Sequence, residues 1–200
     1  LDGENGQVSQ NLRRIGVKRV IASRPISQKT DQKHRTEIFL EALASLGIST
    51  PLNRPRLFPS MEDRRLGEEA LIRQGTKVSS GPILAIHPGS GGPSKCWELS
   101  RFVEVSRQAR GHLGFQPLFI LGPAEEKLAS RLKVSLSDDT AILSASGGCL
   151  PLPVLAGALS WCSAFLGNDS GVTHLVSALG VPTVAIFGPT DPVLWGPLGP

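Results

Sequence analysis

A chain of 200 residues, 40% of them hydrophobic and with a mean hydropathy of +0.01, has apolar side chains for one core, or for one core and part of a second. Its formal net charge of +4 comes from 21 Lys and Arg interspersed with 17 Asp and Glu, with aromatics at 5% and no Tyr. That excludes the clustered basic and aromatic surface of a nucleic-acid platform, and it suits an anionic small molecule or an anionic membrane surface.

No stretch reaches the roughly 18 apolar residues of a membrane span, and Leu1 to Gly6 lack the features of a signal peptide. The chain starts without Met and stops at a turn-forming Gly-Pro-Leu-Gly-Pro, so a fragment at both ends is expected. Cys96, Cys149 and Cys162 are far apart and form no C-x-x-C pair, which indicates neither a zinc site nor a disulfide framework and suits reduced cytosolic thiols.

In chain order, Leu12 to Ser23 reads as a helix end followed by a short β-branched strand, Arg19 to Ala22, and Arg24 to Gln32 as polar loop. From His34 to Leu46 the apolar residues Ile38, Phe39, Ala42, Leu43 and Leu46 recur at helical spacing, with Gly47 placed to end the helix. Three prolines between Ile48 and Ser60 mark a linker, and a second helix is predicted for Met61 to Gln74 before Gly75.

Beyond it, strand, loop and helix alternate. Strands are predicted at Ile83 to His87, Pro117 to Leu121, Thr140 to Leu143, Ala164 to Leu166 and Thr183 to Phe187. Helices are predicted at Glu98 to Ala109, Ala124 to Leu132, Leu152 to Ala158 and Gly171 to Leu179. Such alternation implies an α/β fold, a doubly wound parallel sheet that binds its ligand beyond the carboxyl ends of its strands. Residues 1–55 are expected to be the remnant of one domain with its linker, and residues 56–200 a second, ligand-binding domain.

Two loops follow strands in that expected position. In His87-Pro-Gly-Ser-Gly-Gly-Pro-Ser-Lys95, three glycines let main-chain N–H groups approach an anion, Ser90 and Ser94 offer hydroxyls, and Lys95 brings a point charge. Phosphate is the natural guest, although a flexible turn with a solvated lysine needs no guest at all. The loop is not a P-loop, which requires Gly at Ser94 and Ser or Thr at Cys96, and it lacks the last glycine of the dinucleotide fingerprint.

In Gly167-Asn-Asp-Ser-Gly-Val-Thr-His174, Asp169 or Ser170 can cap a helix whose first N–H groups, around Gly171, face whatever lies at its positive end. His174 falls on the same side one turn in. The plain alternative is a capped helix whose histidine packs against a neighbour. A serine nucleophile at Ser170 is a poor reading, because Asn168 stands where the hydrolase elbow has its first glycine, and Asn168 as a glycosylation acceptor would need a secreted protein.

Glu125, after Gly122-Pro-Ala, is placed either to hold ribose hydroxyls or simply to complement a helix dipole. Gly188-Pro-Thr-Asp-Pro192 reads as a rigid turn, or as a wall of the same cleft.

Together these residues resemble glycosyltransferase family 9, the ADP-heptose:lipopolysaccharide heptosyltransferases. The resemblance rests on His87-Pro-Gly-Ser with Ser94-Lys95 and Trp97, Leu121-Gly-Pro-Ala-Glu125, Gly167 to His174, and Gly180 to Asp191 with Trp195-Gly-Pro197, in that order over residues 83–197. Arg19 to Ile48 looks like the end of that family's amino-terminal, acceptor-binding domain.

The resemblance implies a GT-B-type fold and an inverting transfer of heptose from ADP-heptose to the lipopolysaccharide inner core. No metal or other cofactor is implied. The enzyme would be cytoplasmic, with possible peripheral contact to the inner membrane.

By the same resemblance, Ser90 and Lys95 contact the donor diphosphate, Ser170 and Gly171 bind it at the helix terminus, Glu125 holds the ribose, and Asp169 and His174 complete the phosphate site. Lys95 would stabilise the leaving group. The family's base is an aspartate in a glycine-rich loop that nothing here matches, so this chain alone is expected to be inactive. A nucleotide-binding module with no catalytic role of its own is the competing reading.

Overall fold

The computed structural model describes residues 6–21, 33–137, 140–144 and 150–199, and the chain falls into two compact units. Residues 1–53 with 192–196 form the first, and residues 54–191 with 197–200 the second.

In the first unit, α1 spans Gln7–Arg14 and α2 spans Arg35–Leu43. His34 caps α2 by accepting the Thr36 N–H through Nδ1. A 3-10 turn, Ala44–Leu46, tightens the end of α2, and Gly47 closes it at φ +74°, a conformation that a side chain would strain.

The predicted strand from Arg19 is not formed. Arg19, Val20 and Ile21 have no regular structure, and Ala22 lies outside the described residues, as does the predicted loop at residues 24–32. Two β-branched residues favour an extended backbone, but a strand needs a partner, and the described part of this unit holds no other strand.

The second unit opens with α3, Met61–Arg73, held at its start by a reciprocal capping box between Ser60 and Asp63. Then follow β1 (Ile83–His87), α4 (Leu99–Leu113), β2 (Gln116–Leu121), α5 (Glu126–Ser135), β3 (Ala141–Ser144), α6 (Leu152–Leu159), β4 (Ala164–Asn168), α7 (Gly171–Ala178) and β5 (Thr183–Ile186). Helix α4 outruns its predicted end at Ala109 by a turn, and Gly114, at φ +69°, stops it. The last element, α8 (Pro192–Trp195), belongs to the first unit, where the Arg35 guanidinium lies 5.7 Å from the centroid of the Trp195 ring.

All pairings in the five-stranded sheet are parallel, in the order β3-β2-β1-β4-β5. Side-chain alternation divides the core in two. Ile83, Ala85, Leu118, Ile120 and Phe165 turn to the face covered by α3, α6 and α7, where Leu71, Leu159 and Val176 meet them. Leu84, Ile86, Phe119, Leu121 and Leu166 turn to the face covered by α4 and α5, against Phe102, Val103 and Leu132. Every residue of β1 is buried, as a central strand covered on both faces requires.

Helices α3 and α6 meet backbone to backbone. A Cβ on Gly67 would stand 2.2 Å from Ala158 N, and one on Gly157 2.0 Å from Asp63 O. The strand order reverses between β1 and β4, so the carboxyl ends of those two strands open the crevice of a doubly wound sheet.

Candidate functional site

The two glycine-bearing loops leave the sheet at this crevice. His87, the last residue of β1, is in register with Gly167 of β4, so the loops rise side by side. His87 itself is buried and its Nδ1–H donates to Ile120 O at 2.9 Å, joining the end of β1 to β2.

Asn168 stitches the two loops together. Its side chain has no exposure; Nδ2 donates to Pro88 O at 2.8 Å and to Gly89 O at 3.4 Å, while Oδ1 accepts the Trp97 N–H at 3.0 Å. One buried amide thus holds both ends of the loop that carries Lys95. The far end is also anchored where Trp97 packs edge to face on Phe102, 5.3 Å between centroids. Replacing Asn168 with Ala leaves the Trp97 N–H and the Pro88 carbonyl without partners, and we expect a loss of about 2–4 kcal/mol in urea unfolding. A loss below ~1 kcal/mol would show that the loop does not depend on this amide.

Asp169 is the centre of the site. Its Oδ2 accepts from Lys95 Nζ at 2.7 Å and from Thr190 Oγ1 at 2.8 Å, and its Oδ1 lies 3.9 Å from His174 Nε2. The Asp169 carbonyl accepts the Ser90 hydroxyl at 2.6 Å. Burial by itself raises the Asp169 pKa, but the hydrogen bonds from Lys95 and Thr190 and the charges of Lys95 and His174 outweigh it and hold the carboxyl below its ordinary value. The Asp169 side chain is 8% exposed and that of Lys95 32%, so the carboxylate sits beneath an ammonium that still meets solvent.

Ser170 caps α7, its hydroxyl accepting the Thr173 N–H at 3.4 Å, while the Thr173 hydroxyl is tied to Asn168 O. A Cβ on Gly171 would meet nothing within 4 Å, so there is open space beside the first residue of α7, and the first N–H groups of the helix precede any intrahelical acceptor. Lys95, His174 and a helix N-terminus therefore surround one buried carboxylate at the switch point.

Glu125 lies at the neighbouring β2 end, 8% exposed, with Oε2 accepting the Gly122 N–H at 2.9 Å. It abuts the first loop, since a Cβ on Gly89 would stand 2.3 Å from its carboxylate. The Cys96 thiol, in an exposed residue, is pushed up by partial desolvation and by the Glu125 charge, so it is protonated at neutral pH. Among the described residues no group of three or more His, Cys, Asp or Glu is placed to hold a metal, and no helix is long and apolar enough to cross a membrane.

The structure brings Ser90, Lys95, Asp169, Ser170, Gly171 and His174 together and sets Glu125 beside the same loop. Sequence reasoning missed two residues of this network. Thr190 stands there only within a turn that could wall the cleft, and Asn168 only as a departure from the hydrolase motif and a glycosylation acceptor. A polar residue ending the apolar run Ala-Phe-Leu-Gly is the one signal that pointed to Asn168.

Sheet order and loop placement define the chain as a doubly wound α/β protein whose candidate site lies at the switch between β1 and β4. It belongs to glycosyltransferase family 9: the model of that family, described as glycosyltransferase family 9 (heptosyltransferase), matches residues 11–200.

Among curated proteins the chain is similar to lipopolysaccharide heptosyltransferase 3 of Escherichia coli, 26% identical over 159 residues, covering 79% of this chain and 45% of that protein. Among solved structures it resembles the glycosyl transferase family 9 protein of Veillonella parvula, with 27% identity, a TM-score of 0.70, and coverage of 85% of this chain and 49% of that one. It also shares its fold with E. coli heptosyltransferase WaaC with ADP, with 24% identity, a TM-score of 0.57, and coverage of 86% and 50%. The chain spans about half the length of the relatives it matches.

Proposed function

We propose that this chain is the donor-binding half of a lipopolysaccharide heptosyltransferase and grips the diphosphate of an ADP-heptose at the switch point. The observation that carries this reading is the convergence of Lys95, His174 and the N-terminus of α7 on the buried Asp169 carboxylate, with open space at the Gly171 Cβ position. Family membership supports the reaction class, and the heptosyltransferase relatives support the sugar.

On this reading Lys95 and the main-chain N–H groups of Gly171 and Val172 bind the phosphates, and His174 joins them when protonated. Asp169 keeps the Lys95 ammonium in place without touching the anion. The Ser90 hydroxyl is committed to Asp169 O, so it fixes the loop, and its own contact with phosphate is through the main chain. Glu125, whose Oε2 accepts from Gly122 and whose Oε1 lies against Gly89, is the residue assigned to the ribose hydroxyls.

Chemically, this half stabilises departure. As the anomeric carbon–oxygen bond breaks, negative charge grows on the terminal phosphate of ADP, and a fixed ammonium and oriented N–H groups meet it without reorganising. Deprotonation of the acceptor hydroxyl, and with it inversion at the anomeric carbon, is assigned to a base outside the residues of this site. The enzyme would act in the cytoplasm on an acceptor at the inner membrane, and it would need no metal.

ADP is the nucleotide to try first. Thermal unfolding with ADP, UDP and ADP-heptose at millimolar concentration is expected to show protection by ADP and ADP-heptose and less by UDP, because only a ligand bound to the folded state raises the midpoint. No protection by any of the three would sink the assignment.

A further inference from the structure

We propose that Thr190 is a positioning residue: its hydroxyl fixes the rotation of the Asp169 carboxylate and so holds the Lys95 ammonium at the mouth of α7. The inference rests on the reading of this site as the diphosphate site.

Three separate segments meet at Asp169. Lys95 comes from the loop after β1, His174 from α7, and Thr190 from the loop after β5. Oδ2 accepts from both Thr190 and Lys95, at 2.8 Å and 2.7 Å, which leaves Oδ1 to face His174. Lysine has four rotatable bonds and no preferred fork, so its head follows the carboxylate that holds it. Carboxylate rotation is broad and roughly two-fold unless a second donor pins it, and Thr190 is that donor.

The loop that supplies Thr190 is itself braced. A Cβ on Gly188 would lie 3.2 Å from Ser94 O, so the turn after β5 packs directly on the segment bearing Lys95, and Pro189 fixes the backbone just before Thr190. Three strand ends are tied through one oxygen atom. The Thr190 hydrogen bond also lowers the Asp169 pKa, alongside those of Lys95 and against the effect of burial. The titratable groups facing Asp169 are Lys95 and His174.

The test compares the wild-type chain with Thr190→Val, which keeps the shape and loses the donor, and Thr190→Ser, which keeps the donor. In the unliganded chain, the carboxyl-carbon resonance of Asp169 is followed against pH. Its midpoint should move up in Thr190→Val and stay near wild type in Thr190→Ser. Titration with ADP should give a Kd about 5- to 10-fold weaker in Thr190→Val and within about twofold of wild type in Thr190→Ser.

An unmoved midpoint in Thr190→Val overturns the inference whatever the nucleotide result. So does an ADP affinity that is unchanged or tighter, since a carboxylate that merely competes with phosphate for Lys95 would release it when loosened. If the wild-type chain binds no ADP, the proposed function fails and takes the role toward diphosphate with it, and the wild-type titration alone separates that failure from a failure of Thr190.

Discussion

Lys95→Ala is expected to weaken ADP binding roughly 10- to 100-fold and to remove most of the ADP-induced rise in the unfolding midpoint. A charge-assisted hydrogen bond is worth about 1.5–3 kcal/mol, and the cation at risk here is already held in place by Asp169. The truncation acts twice. It deletes the ammonium proposed to meet the phosphates, and it leaves the Asp169 carboxylate with Thr190 and His174 alone, so that its negative charge is less compensated at the proposed anion site.

The acid side carries a separate signature. With Lys95 gone, two of the influences that hold the Asp169 carboxyl down are lost and its pKa rises. A carboxyl depressed in the folded state contributes stability above its unfolded pKa and loses it as pH falls through the folded value. The variant should therefore retain less of that contribution, and its dependence on pH in this acidic range should flatten. Calorimetric titration with ADP at neutral pH checks the first expectation, and thermal unfolding from pH 3 to 7 checks the second. An undiminished ADP affinity in Lys95→Ala would remove this residue from the site.

Gly157→Ala is expected to produce the largest loss of stability, about 3 kcal/mol or more, with a fall in the unfolding midpoint of roughly 6–12 °C. The added Cβ would stand 2.0 Å from Asp63 O and 2.5 Å from Asp63 C, both backbone atoms of α3 that cannot rotate aside. Relief requires α3 and α6 to separate, which opens the packing of Leu71 and Leu159 on the sheet. Gly111→Ala, in α4 with open space at its Cβ position, is the control and should stabilise by about 0.5–1 kcal/mol through helix propensity alone. Equal midpoints for the two variants would mean that the close α3 to α6 approach is not a fixed feature of the fold.

Much of the fold was legible in the residues because hydrophobic period and turn chemistry act locally. Strand β1 was read at its observed bounds, since Ile-Leu-Ala-Ile is an unbroken apolar run closed by a Pro-Gly turn, and α3 was bounded by Ser60 and Gly75. The strand expected from Arg19 failed for a reason no local rule contains: extended backbone becomes a strand only when another chain segment offers its N–H and C=O groups.

Of the site, the two loops and the residue types within them were legible. The roles of Asn168 and Thr190 were not, because both depend on partners 71–80 and 21 residues away in the chain.

The sequence by itself determined that this chain is an α/β protein with glycine-bearing loops after two of its strands, because periodicity, capping and glycine placement are properties of short segments. The tertiary structure alone decided that those loops stand side by side, since strand order β3-β2-β1-β4-β5 is set by how the helices cover the two faces of the sheet. It also decided that Lys95 and Asp169, 74 residues apart, meet at 2.7 Å. Local pattern cannot do this: only packing brings groups so far apart in the chain within a few ångströms, where Coulomb attraction is strong.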